Sequence, residues 1–229
     1  MQLVGKTAVV TGGSRGIGFE ICKILLEEGA AVLAVSRDSS KLAQALGALP
    51  GLQILQADVS QAQDVDRVVE YVGNQWDKLD ILVNNAAVFS EESRELTDGP
   101  DELLSIAMAV NVLGPYLCTK RMLSLLLKSD DPRVLNLGSR AGIMSPTLHG
   151  TYGVTKLALH GMSLAVAEEL RGRVAVNVLS PGWVRTDMAP DAPGDPRTSA
   201  AAALFLVTQP ANITGKLFQG KEARSWFDA

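Results

Sequence analysis

In the stretch YGVTK, residues 152–156, a phenol and a primary amine stand four positions apart. On a helix of about 3.6 residues per turn, Tyr152 and Lys156 lie on one face, a turn from each other. A free phenol, with pKa about 10, exchanges protons poorly at neutral pH, and a neighbouring ammonium favours the phenolate. The same spacing also describes an ordinary surface pair worth about 0.2–0.5 kcal/mol to a helix. Carbonyl chemistry needs more around it: a hydride source, a donor to the developing alkoxide and a cleft.

A hydride source requires a cofactor site, and the N-terminal stretch VVTGGSRGIG has the form of one. Gly12 permits a tight turn, Gly16 lets a pyrophosphate approach the backbone, and Gly18 lets a helix pack close to the sheet. The N–H groups and dipole at the start of that helix favour an anion. Glycine and serine also build plain strand-to-helix turns, so the pattern gains weight from its place between a strand and a helix. A site for NAD usually carries an acid about 20 residues further on. Here the second strand ends VSRD, with Ser36 in that place, Arg37 next, and Arg15 inside the glycine turn. Two guanidiniums beside one ribose suit a 2′-phosphate, so NADP(H) is favoured. NAD(H), held through Asp38, is the alternative.

Alternating elements must position these residues. Runs 7–11, 31–35, 52–55, 80–84, 133–137 and 174–179 are nearly continuous in apolar character, as expected of strands covered on both faces. Helical patterns occupy 16–28, 39–46, 62–76, 101–128 and 152–171. This alternation predicts an α/β fold with a doubly wound parallel sheet and helices on both faces, in one domain over residues 1–229. The segment APDAPGDP, 189–196, is too short to link two domains and reads as a loop over something.

At 229 residues, 47% hydrophobic and 20% charged, the chain can bury a full core. Its net charge of −4 argues against a broad nucleic-acid footprint. Cys22 and Cys118 fall in helical patterns and read as buried free thiols of a reducing compartment. The longest uncharged run, 103–119, contains Asn111, Gly114 and Pro115 and reads as a buried helix rather than a membrane span. No signal peptide is visible, so a cytoplasmic location is expected.

TGGSRGIG (11–18), NNAA (84–87), Asn111, Ser139, YGVTK (152–156) and PGWVRT (181–186) appear in this order along the chain. Together they resemble the short-chain dehydrogenase/reductase family over nearly the whole length. The ending TGKLFQGKEARSWFDA is closer to its carbonyl-reductase-like members. The resemblance implies a Rossmann-type domain moving hydride between a nicotinamide and a ketone, aldehyde or alcohol. It implies that Gly12, Ser14, Arg15, Gly16, Ile17 and Gly18 hold the pyrophosphate side of the cofactor. Ser36 and Arg37 would face the adenosine ribose, and Asp58 and Val59 the adenine. Asn84 and Ala86 would meet the cofactor ribose and backbone, and Pro181, Gly182, Val184 and Thr186 the carboxamide side of the nicotinamide. Ser139, Tyr152 and Lys156 would be catalytic. Ser139 would donate to the substrate oxygen, Lys156 would lower the Tyr152 pKa, and both Tyr152 and Lys156 would touch the cofactor. Asn111 would support them by holding a water that relays protons to Lys156.

His149 reads as a pocket or loop residue and His160 as an interface or surface residue; no metal site is expected. Phe89, Met144, Trp183 and Met188 are pocket-wall candidates. The apolar helices 101–128 and 152–171 favour a homo-oligomer, with the family's common dimer preferred over a tetramer. Two rival functions remain: an NAD-preferring secondary-alcohol or steroid dehydrogenase, and a dinucleotide-binding sensor or scaffold without turnover.

Overall fold

β1 (Thr7–Thr11) is buried at all five positions, so both of its faces lie under helices. In the computed structural model, which describes residues 2–93, 95–142 and 150–224, it sits centrally in an eight-stranded sheet. Its companions are β2 (Ala31–Ser36), β3 (Gln53–Gln56), β4 (Ile81–Asn84), β5 (Arg133–Leu137), β6 (Ala175–Ser180), β7 (Leu217–Gln219) and β8 (Glu222–Arg224). The order is β3-β2-β1-β4-β5-β6-β7-β8, parallel throughout except for the antiparallel β7–β8 pair. Chain direction across the sheet reverses at β1, between β2 and β4. A crevice is expected there, outside the carboxyl ends of the strands.

Helices cover both faces. Against one lie α1 (Gly16–Glu27), α2 (Ser39–Ala48) and α7 (Pro196–Val207), which bury Ile21, Leu25, Leu42 and Leu206 with the inward residues of β1 and β2. Against the other lie α3 (Ala62–Trp76), α5 (Gly114–Leu126) and α6 (Gly150–Glu169), burying Val68, Val72, Met122, Leu126 and Ala167. The span Asp101–Leu126 is long and apolar enough to cross a membrane, at mean hydropathy 1.4. Its α5 half is nevertheless buried through Cys118, Met122, Leu125 and Leu126 in the core it shares with α3, as in a core helix.

The six expected strands are all present, with ends shifted by at most one residue. The expected helix 101–128 is different: it is α4 (Asp101–Met108), one π-helical turn (Ala109–Leu113), then α5. Sequence periodicity missed α7, β7 and β8. α7 does carry a start signal, since Pro196 occupies its first turn and the Asp195 carboxylate accepts the Arg197 N–H at 2.9 Å. The preceding Pro- and Gly-rich loop obscured it. Cys22 and Cys118 are buried and unbridged, as expected.

Candidate active site

The first wall of the crevice is the turn from β1 into α1. Gly12 and Gly16 have φ of +65° and +55°, a region that side-chain-bearing residues seldom enter. A Cβ at Gly12 would stand 2.8 Å from Asn85 Nδ2, and one at Gly18 would stand 2.2 Å from the Gly12 carbonyl oxygen. The turn is therefore closed on its protein side and open toward the crevice. Asn85, which the sequence reading did not single out, fastens it: Nδ2 donates to the carbonyls of Thr11 and Gly12 at 2.9 and 3.1 Å. The Thr11 hydroxyl in return accepts the N–H groups of Asn85 and Ala86. The ends of β1 and β4 are thereby tied together at the reversal point.

At α1, the N-cap residue Arg15 supplies no side-chain cap, so the first-turn N–H groups remain available to an anion. Cations gather nearby. Arg15 is ion-paired with Asp187, Lys41 Nζ lies 3.6 Å from the same carboxylate, and Arg37 lies 3.6 Å from Asp58. The Ser14 hydroxyl donates to Ser36 Oγ at 3.0 Å. Asp38, the candidate for a 2′-OH acid, is otherwise engaged: its carboxylate caps α2 by accepting the Lys41 N–H at 3.0 Å. A glycine cradle, an uncapped helix start and a cluster of cations fit a phosphate-bearing dinucleotide.

The crevice is lined by Gly12, Ser14, Arg15, Gly16 and Ile17 on this side and by Ser36, Arg37, Asp58 and Val59 toward the sheet edge. Ala86, Pro181 and Thr186 line it further along, and Tyr152 and Lys156 close its deep end. Gly18, expected on the pyrophosphate side, stands outside the lining, packed against the Gly12 carbonyl and Asn85. Asn84 differs from expectation. It points into the core, donating to Asn136 Oδ1 at 2.8 Å and Thr119 Oγ1 at 3.2 Å, and its neighbour Asn85 lines the crevice instead. Strand alternation explains this, because adjacent side chains leave opposite faces. Gly182 and Val184 are also outside the lining; Val184 is buried and paired with Gly194 in an isolated bridge. Met188 lines the crevice, whereas Trp183 is 62% exposed and does not. Met144 and His149 lie outside the described residues.

At the deep end, α6 presents Tyr152 and Lys156 toward the exit of β5, where Ser139 stands. The Ser139 hydroxyl is hydrogen-bonded to Tyr152. Phe89 stands edge-on against the Tyr152 ring, with centroids 5.7 Å apart and planes at 80°. Lys156 is 3% exposed; its Nζ donates to the Leu137 carbonyl at 2.7 Å and lies 5.4 Å from the centre of the tyrosine ring. Burial lowers its pKa to about 8. The expected lowering of the Tyr152 pKa by Lys156 is not seen in the protein alone. Burial pushes the phenol up to about 12, against a smaller opposing effect of the Ser139 hydrogen bond. Burial thus keeps the Tyr152 phenol in its neutral form at neutral pH.

Asn111 sits in the π-helical turn, fully buried. Its Oδ1 accepts the Val88 N–H at 2.8 Å, and its Nδ2 donates to the Val88 carbonyl and to Thr155 Oγ1, both at 3.0 Å. The side-chain amide ties the segment after β4 to α6. That engagement leaves the expected water relay without support from the side chain. His160 is a second departure: it is 2% exposed, inside the molecule behind Ser139, and not on a surface.

The architecture agrees with comparisons to known proteins. Residues 6–196 match the short chain dehydrogenase family. The chain is 37% identical over 209 residues to the rhamnolipids biosynthesis 3-oxoacyl-[acyl-carrier-protein] reductase of Pseudomonas aeruginosa, covering 87% of this chain and 81% of that one. It is 32% identical to a 3-oxoacyl-[acyl-carrier-protein] reductase of Synechocystis, covering 94% and 95%. The Pseudomonas aeruginosa RhlG structure, an NADP active-site complex, superposes with a TM-score of 0.87 at 34% identity over 95% of both chains. Sequence and fold agree that this chain belongs to the short chain dehydrogenase family of oxidoreductases.

Proposed function

We propose that the protein is a cytoplasmic, NADP(H)-dependent ketoreductase that converts the keto group of a 3-oxoacyl thioester to a hydroxyl, with Tyr152 as proton donor. The observation that carries this reading is Tyr152, with Ser139 beside it, next to Lys156 at the deep end of a crevice lined at its other end by Arg15 and Arg37, with Lys41 close to the lining residue Asp187. A sensor without turnover would have no use for a protonated phenol held beside a buried ammonium. The acyl thioester is supported by the names of the two reductases described above.

The cations and the capped state of Asp38 support NADP(H) over NAD(H). Gly12, Gly16 and the start of α1 would hold the pyrophosphate, and Arg15 and Arg37 the 2′-phosphate. When bound, the nicotinamide supplies the hydride. The protein supplies the rest. Ser139 and Tyr152 place two hydroxyl donors where the substrate oxygen gains negative charge. Tyr152 then gives up its proton, and the Lys156 ammonium, fixed by the Leu137 carbonyl, stabilises the phenolate left behind.

Turnover of NADPH with a 3-oxoacyl thioester, followed by absorbance against a panel of simple ketones and aldehydes, tests the reading. Tyr152→Phe is expected to lower kcat by roughly 10²- to 10⁴-fold with little change in NADPH affinity. Full activity in that variant, or no turnover of any carbonyl by the wild type, ends the proposal. A homodimer is part of the same reading. Leu104, Ile106, Leu113 and Tyr116 on the α4–α5 span and Leu157 on α6 are exposed large apolar residues that a second copy would cover. Light scattering on the purified protein decides that point.

A further inference from the structure

His160 lies one helical turn beyond Lys156 on α6, 2% exposed, and the chemistry above gives it no task. Its Nε2 accepts the backbone N–H of Ser139 at 3.3 Å. An accepting Nε2 carries no proton, so the ring is the neutral tautomer protonated at Nδ1. Burial, and then the nearby Lys156 ammonium, lower its pKa to about 4, which keeps it an acceptor at neutral pH. Lys156, on its own helix, is the charge that bears on the ring. The strand exit it faces offers Leu137, Gly138 and Ser139, and neighbouring β6 offers Val178, none of them charged.

The exit of β5 is built around this ring. A Cβ at Gly138 would fall 2.3 Å from His160 Nε2, so the imidazole occupies the space that any other residue there would need. Three consecutive residues are pinned in turn: the Leu137 carbonyl by Lys156, the Gly138 N–H by the Leu179 carbonyl at 2.8 Å, and the Ser139 N–H by His160. Beyond the third anchor, Ser139 Oγ accepts the Ala141 N–H at 3.2 Å and is hydrogen-bonded to Tyr152.

We propose that His160 is a positioning residue: its imidazole fixes the Ser139 peptide so that the serine hydroxyl is aimed at Tyr152 and the reacting oxygen. The role in turnover rests on the ketoreductase reading; the grip on the strand exit does not. Small misplacements of a catalytic donor cost up to about 10²-fold in rate.

The test uses the whole protein carrying His160→Leu, which fills the space without an acceptor, and His160→Gln, whose amide oxygen can reach the Nε2 position. With NADPH and a 3-oxoacyl thioester, H160L is expected to lower kcat about 10- to 100-fold. KM and the NADPH Kd stay within about twofold, and H160Q recovers most of the rate. In a Ser139→Ala background, H160L costs little more, because the group being aimed is gone. Losses that multiply in the double variant, or an H160Q no better than H160L, overturn the proposal. Nitrogen-15 NMR supplies a readout without turnover: Nε2 is expected unprotonated and Nδ1 protonated from pH 5.5 to 8.5, with the Ser139 amide resonance displaced in H160L and restored in H160Q. The opposite tautomer, or a ring titrating near the ordinary histidine value of about 6.5, also overturns it. An intact NMR signature in a wild type that reduces no carbonyl leaves the grip standing and removes the ketoreductase reading alone.

Discussion

Asp187, just past Thr186, is ion-paired with Arg15 in the glycine turn and lies 3.6 Å from Lys41. These cations pull the Asp187 pKa below the usual carboxylate range. A 2′-phosphate entering the crevice must compete with this carboxylate for the same partners. Asp187→Asn is therefore expected to tighten NADP+ binding roughly two- to fivefold while leaving NAD+ nearly unchanged, because exposed ion pairs contribute up to about 1 kcal/mol. Calorimetric titration with both dinucleotides measures this, and equal gains for the two would show that Asp187 does not compete with the phosphate.

Arg37 lines the crevice and is held 3.6 Å from Asp58. Arg37→Leu removes a planar donor suited to phosphate, so NADPH affinity should fall about 10- to 100-fold, as for a charge-assisted hydrogen bond of about 1.5–3 kcal/mol. NADH affinity should hold. A parallel loss for both cofactors would place Arg37 outside phosphate recognition.

Lys156 sets the expected pH dependence. Tyr152, pushed up to about 12, stays protonated across the working range, while Lys156 loses its proton near pH 8. The kcat for reduction should fall as pH rises through about 8, and a level profile to pH 10 would remove the ammonium from the mechanism. Stability responds with the opposite slope. Between about 8 and the ordinary lysine value of 10.5 the folded chain binds fewer protons at this site than the unfolded chain does. Stability of the wild type relative to Lys156→Met should therefore climb across that window, by about 3 kcal/mol, in urea melts.

Gly138→Ala tests the crowded exit of β5. Its added methyl would meet His160 Nε2 at 2.3 Å and Val178 Cγ1 at 2.5 Å, so the backbone must move. An overpacking loss of about 1–3 kcal/mol in denaturant melts is expected, with kcat falling more than NADPH affinity. A variant as stable and active as wild type would show that the exit has slack.

What could be read in the chain beforehand was chemistry carried by neighbours in sequence. Tyr152 and Lys156 sit a turn apart on one helix, and Gly12, Gly16 and Gly18 shape one turn, so spacing alone places them. Residues whose tasks depend on distant segments stayed hidden. Asn85 reaches the carbonyl of Gly12 across 73 positions, Asp187 meets Arg15 across 172, and His160 meets Ser139 across 21. Buried polar side chains such as Asn84 were visible as polar, but only the strand pleat decides which face they take. The short β7 and β8 follow from pairing beside β6 rather than from any pattern within their three residues each.

The wide turn at Ala109–Leu113 has a bearing on everything downstream of it. An i→i+5 turn accommodates an additional residue relative to α-helical winding, which advances later side chains by roughly 100° around the axis. Excising one residue there would let the rod wind evenly. Cys118, Met122 and Leu126 would then swing away from the interior they now fill, and the outward apolar residues Leu113 and Tyr116 would change heading with them. One local irregularity thus sets the rotational phase of a whole helix, for its inner seam and its outer side together.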